Sequence, residues 1–120
     1  MAQVPESWGK VFKSRFYRWV KMRPCVSCGR VPQITDMNEA DHVFLNTSLG
    51  SKLRSHKGRF SYAVLPLCRR CHQKKHEVGE ENFYRSSGVD VYLELSSLLT
   101  TFLHEMVESG EIFERDEVFE

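Results

Sequence analysis

Two short stretches of this 120-residue chain carry residues suited to chemistry, Asp41-His42 and His72-Gln73-Lys74-Lys75-His76, and two cysteine pairs flank them, Cys25-Val-Ser-Cys28 and Cys68-Arg-Arg-Cys71. On a helix, residues four apart lie one above the other, so His72 and His76 can present their imidazoles to one point. A lone histidine is ordinarily a packed core residue. Two at this spacing, beside a cysteine pair and within reach of an Asp-His dipeptide, point to a metal instead. The cysteines read as zinc ligands before they read as disulfides: a two-residue spacer lets both thiolates of a pair face one ion, and a reducing compartment disfavours the bridge. Gly29 supports this, because a tight knuckle around a metal needs a backbone position without a Cβ. A thioredoxin-like redox motif is the rival for either pair alone, yet it needs one pair and the chain has two. At 100° per residue the Cys68/Cys71 pair centres about 90° from the His72/His76 pair, so one helix can carry a closed zinc site at its start and a second metal site alongside.

The elements that must position these groups are legible in outline. From Glu6 to Met22 the residues Trp8, Val11, Phe12, Phe16, Trp19 and Val20 recur at helical spacing, with Lys13, Arg15, Arg18 and Lys21 between them, and Pro24 ends the helix. At that spacing the aromatics are core sooner than a base-stacking strip. Short strands are expected at Val43–Leu45 and Phe60–Leu65, with Pro66 closing the second and a basic, Ser- and Gly-rich loop over 46–59 between them. Helix resumes after Cys68 and stops at Gly79. A short helix over Glu80–Ser86 ends at Gly88, and Asp90 caps a last helix running to about Ser109. Its apolar stripe is Val91, Leu95, Leu98, Leu99, Phe102, Leu103 and Met106. His104 on that helix reads as structural.

The formal charge of +1 conceals an asymmetry. Residues 1–76 hold 15 Lys/Arg against four acids, a net +11, whereas residues 77–120 hold Arg85 and Arg115 against 12 acids, a net −10. A basic body points to a polyanionic partner, with an acidic end that neutralises it, docks on it or binds something else. The 12% aromatics argue against a chain that stays unfolded. No apolar run approaches the roughly 18 residues of a membrane span, and the start lacks a signal peptide's apolar stretch, so a cytoplasmic protein is expected.

The order of a Cys-x-x-Cys-Gly knuckle, an Asp-His on a strand, a basic hairpin and Leu-Cys-x-x-Cys-His-x-x-Lys leading into a helix resembles the His-Asn-His (HNH) endonucleases with a ββα-metal core. The segment from Leu65 to Leu103 looks closest to the phage and prophage branch that includes the phage recombination-enhancement nuclease, and the whole resemblance covers roughly residues 19–103. It implies an α+β fold: a treble-clef-like ββα-metal core over about 19–79, stapled by zinc on Cys25, Cys28, Cys68 and Cys71, with an N-terminal helix. A helical extension over about 80–109 and an acidic tail over 110–120 complete one domain.

The resemblance further implies a metal-dependent DNA endonuclease or nickase acting in the cytoplasm of a bacterial host. His42 would be the general base, and Asp41, His76 and His72 the ligands of a catalytic Mg²⁺ or Mn²⁺. Lys52, Arg54, Lys57, Arg59, Lys74 and Lys75 would hold backbone phosphates. A His of near-neutral pKa suits the base, and one carboxylate with imidazoles leaves positions open for water and a phosphate oxygen. One departure matters: the Asn that most relatives carry about five residues before the second cysteine pair is here Ala63. Ser61, Asn46 and His56 are the candidates to orient His42 in its place, His56 reading sooner as a solvated loop residue. The alternatives are a zinc-stabilised nucleic-acid-binding module without turnover, and a recombination or replication factor whose acidic tail contacts a host or phage protein.

Overall fold

The computed structural model describes residues 6–43 and 62–110, with side chains from Lys10 onward. Helix α1 runs over Glu6–Lys21, strand β1 over Glu39–His42 and strand β2 over Val64–Leu67. Three helices follow: α2 over Arg69–Val78, α3 over Glu80–Ser87 and α4 over Val91–Ser109. Among the described residues this is an α+β arrangement of four helices and one two-stranded antiparallel sheet. No helix in them is long and apolar enough to cross a membrane. The side chain of Trp8, the loop residues Asn46, Lys52, Arg54, His56, Lys57, Arg59 and Ser61, and the tail over 111–120 lie outside what is described.

Both described strands have bounds that differ from the expected ones. The first described strand is Glu39–His42 and ends before Val43; Phe44 and Leu45 of the expected strand, and Phe60 and Ser61 of the second, lie outside the described residues. The second is Val64–Leu67, so Pro66 sits inside the strand instead of closing it. The register explains why a proline is tolerated there. Pro66 lies opposite Ala40, and its carbonyl accepts from the Val26 N–H at 3.0 Å, so this edge of β2 faces the cysteine knuckle and not β1. A missing N–H on that side costs the ladder nothing. All four residues of Val-Leu-Pro-Leu are buried, because the strand is covered on both faces.

Those two faces feed two apolar clusters. Val64 packs with Phe16, Val20 and Phe102 between α1 and α4, whereas Leu65 and Leu67 pack with Cys25, Cys68, Phe83, Tyr84 and Leu98 on the knuckle side. The described aromatics of α1 pack toward the core, as their spacing implies: Phe16 is fully buried and meets Phe102 edge-on at 5.1 Å, with Phe12, Tyr17 and Trp19 partly buried beside it. Val11 is an exception at 53% exposure. The stripe on α4 is narrower than expected, with Leu98 and Phe102 buried but Leu103 at 46% exposure. Helix ends follow their punctuation. Asp90 accepts from the Leu93 N–H at 3.1 Å, and Gly79, at φ 90°, turns the chain between α2 and α3 as a residue with a Cβ rarely could. His104 lies on the surface with Glu108, 3.2 Å away.

A buried side chain that no motif announces ties these parts together. Asn38 is 2% exposed; its amide donates to the carbonyls of Arg23 and Arg30 at 2.9 and 3.1 Å and accepts from the Arg30 guanidinium at 2.7 Å. Its backbone N–H donates to the Lys21 carbonyl at 3.0 Å. The end of α1, the knuckle and the entry to β1 are thereby clasped to one residue.

Candidate metal centre and adjoining cleft

The four cysteines converge although 40 residues separate the pairs. Their Sγ atoms all lie within 4.8 Å of one another, and Cys28 Sγ is 3.7 Å from Cys68 Sγ. With Zn–S bonds of about 2.3 Å, the edge of a tetrahedron of sulfurs is about 3.8 Å, so the cluster fits one zinc-sized ion. The backbone builds each half. In the first, the Gly29 N–H donates to the Cys25 carbonyl at 2.8 Å and Gly29 takes φ 78°, which closes the knuckle. In the second, Cys68 caps α2, its sulfur accepting from the Cys71 N–H at 3.4 Å. The thiols differ in acidity. Burial opposes ionisation of Cys25, but hydrogen bonds from the backbone of Cys28, Cys68 and Ser27 outweigh it and hold the thiol at about 7. Burial and the neighbouring Cys68 sulfur push Cys71 up to about 12. Crowded thiolates repel one another, and a dication offsets that repulsion. The four residues can therefore hold a metal such as zinc.

The second constellation is organised by the two-residue period of β1, which sends neighbouring side chains to opposite faces. Glu39 and Asp41 point toward α2. His72 lies between them, Nδ1 2.6 Å from Glu39 Oε1 and Nε2 2.9 Å from Asp41 Oδ1. Asp41 is buried, and its other oxygen pairs with the Lys75 ammonium and accepts from the Tyr84 hydroxyl at 3.4 Å. Lys75 also reaches Glu80 Oε1 at 3.1 Å and donates to the His42 carbonyl at 3.2 Å. Burial, then the negative charges of Asp41 and Glu80, push the Tyr84 hydroxyl far above the ordinary phenol range, so it remains a donor to Asp41. His76 lies on the same helix face as His72, ring centroids 4.7 Å apart and planes inclined by 34°.

His42 takes the other face of β1, toward α1. Its Nε2 lies 2.9 Å from the Tyr17 hydroxyl, and the rings meet edge-on at 5.7 Å. Even so, Asp41 and His42 line one cleft with His72, His76, Lys75 and Glu80. Asp41, His42, His72 and His76 are thus brought together. Lys75 lines the cleft with them, but it is 6% exposed and bound to Asp41, which takes it out of the proposed phosphate-contacting set. Lys74 lies on a different groove, beside Cys28 and Cys71. Tyr17, Glu39, Glu80 and Tyr84 belong to the constellation without any local signal in the sequence.

In donor type the cleft fits a hard divalent cation only in part. Asp41 Oδ1 and His72 Nε2 are separated as two neighbouring positions of an octahedron would be, about 3.0 Å at metal–ligand distances of about 2.1 Å. Three carboxylates, those of Glu39, Asp41 and Glu80, face the Lys75 ammonium and the His72 ring. Against this, Lys75 holds the second Asp41 oxygen, and among the described residues the cysteines alone form a converging group of three or more ligand atoms. Compared with protein-family models, curated proteins and solved structures, the chain matches none.

Proposed function

We propose that the chain is a metal-dependent DNA endonuclease or nickase of the ββα-metal type, with zinc on the four cysteines as its structural staple. The observation that carries this reading is the cleft itself: a strand-borne Asp-His pair opposite two histidines of one helix, on a body whose first 76 residues are strongly basic. His42 is the general base. With its Nε2 proton donated to the Tyr17 oxygen, its Nδ1 carries the lone pair that takes a proton from the attacking water. Tyr17 thereby does the orienting that the absent Asn at position 63 would do. Asp41, with His72 and His76, would hold a magnesium or manganese ion, which supplies charge to stabilise the phosphorus-centred transition state and the leaving oxygen. Glu39 fixes the His72 ring through Nδ1, as carboxylates do behind metal-bound imidazoles. The basic loop residues Lys52, Arg54, Lys57 and Arg59, with Lys74, would contact phosphates. The setting is the processing or recombination of phage DNA in a bacterial cytoplasm, with a recombination protein as a candidate partner. Metal-dependent nicking of supercoiled plasmid tests this reading.

One observation favours a second reading. The Lys75 ammonium neutralises Asp41 in the way a catalytic cation would, which suits a zinc-stapled nucleic-acid-binding module or accessory factor without turnover. Such a protein would bind DNA and leave the plasmid intact at every divalent metal concentration.

A further inference from the structure

We infer that a groove along α1, which none of the sequence motifs involves, is the track on which the DNA backbone lies as it reaches His42. Lys10, Lys13, Arg18 and Lys21 line this groove with Tyr17 and Met37, and among the described residues no acid belongs to its lining. Lys10, Lys13, Tyr17 and Lys21 recur three and four residues apart, so they form one face of the helix. From Lys10 to Lys21 that face is about 16 Å long at ~1.5 Å per residue, the length of about five nucleotide steps at ~3.4 Å per strand. A row of cations this long, without a carboxylate, is complementary to a phosphodiester backbone and to little else of comparable charge density.

Position makes the groove more than a charged face. Tyr17 belongs to its wall, and the same hydroxyl lies 2.9 Å from His42 Nε2. Ala40, on the same side of β1 as His42, packs into the cluster beneath α1, so strand and helix are fixed to one another. A strand lying in the groove is therefore led to the ring of His42, while Asp41 waits on the opposite side of β1. The inference rests on the nuclease reading for what happens at His42, and on charge and placement alone for what lies in the groove.

The test is fluorescence anisotropy of the full chain with a labelled 20-base-pair DNA duplex across a salt series. The triple variant K10E/K13E/R18E should lose at least tenfold in affinity at 100 mM salt. Its plot of log K against log salt should be shallower by roughly 2 to 3, since each phosphate contact contributes about 0.9 to the slope. The neutral variant K10Q/K13Q/R18Q, which carries less risk to folding, should show a smaller loss in the same direction. Wild-type affinity and slope in both variants overturn the inference. So does a raised affinity, the result expected if the groove holds the acidic 111–120 segment of the chain instead. His42→Ala separates the two claims. If it cuts DNA as wild type does while the groove variants bind weakly, the assignment of His42 fails and the groove stands; a wild-type chain that binds no DNA overturns both.

Discussion

The Tyr17 hydroxyl lies 2.9 Å from Nε2 of His42, so a residue of helix α1 touches the ring of the proposed base from 25 positions away in the chain. Tyr17→Phe keeps the edge-on ring contact and removes only the hydroxyl. If the roughly 1 kcal/mol of such a hydrogen bond is expressed in orienting the base, single-turnover nicking should fall about fivefold. A Tyr17→Phe protein that nicks at the wild-type rate would show that something else orients His42.

The Lys75–Asp41 pair is buried on both sides, and removing the ammonium leaves the buried Asp41 carboxylate to His72 and the Tyr84 hydroxyl. Lys75→Met should destabilise the fold by about 3–5 kcal/mol in urea unfolding. If Asp41 is a metal ligand, manganese should restore more stability to this variant than it adds to wild type, because the ion then supplies the missing positive charge. A loss under about 1 kcal/mol, or no response to manganese, would count against the pairing and the ligand role respectively.

Metal removal should unfold the knuckle side of the molecule. Cys25 and Cys68 are buried in the same cluster as Leu65, Leu67 and Tyr84, so emptying the thiolate cage opens the core that Asp41 leans on. Closed zinc sites contribute on the order of 10 kcal/mol to small folds. Cys68→Ser should therefore carry less than one zinc per chain and melt well below wild type, and a strong chelator should reproduce the effect on the wild-type protein. Equal melting with zinc absent would refute the staple.

Asn38 offers a test that involves no metal. Asn38→Ala leaves the carbonyls of Arg23 and Arg30 without their buried donor, at a cost of about 2–3 kcal/mol. The loss should appear in the denaturation midpoint with the slope unchanged, and a change under 0.5 kcal/mol would mean that water replaces the amide.

Helices were far more legible in the sequence than strands. Pro24, Gly79, Gly88 and Asp90 mark helix ends through backbone chemistry that acts within a few residues, and all four do so in the structure. β1 is Glu-Ala-Asp-His, with two carboxylates and no β-branched residue, and its partner contains a proline. Such segments become strands only through their pairing and the apolar cover on β2, which no local pattern reports. The site divides in the same way. Asp41, His42, His72 and His76 declared themselves by type and spacing, and one cleft gathers them. Lys75 read as a phosphate ligand because a lysine beside another lysine in a basic stretch is ordinarily solvated. Its partners Asp41 and Glu80 come from β1 and the corner after Gly79, and only the fold brings them to it.

Nicking of supercoiled plasmid by wild type and His42→Ala, with magnesium or manganese added and zinc content measured on the same samples, tests the central claim most directly. Wild type should convert supercoiled to open-circular or linear DNA only with the divalent ion present. His42→Ala, with full zinc content and unchanged DNA affinity, should be slower by at least a hundredfold, the lower end of what a general base contributes, roughly 10² to 10⁴. Equal nicking by the variant, or no metal-dependent nicking by wild type, would contradict the account.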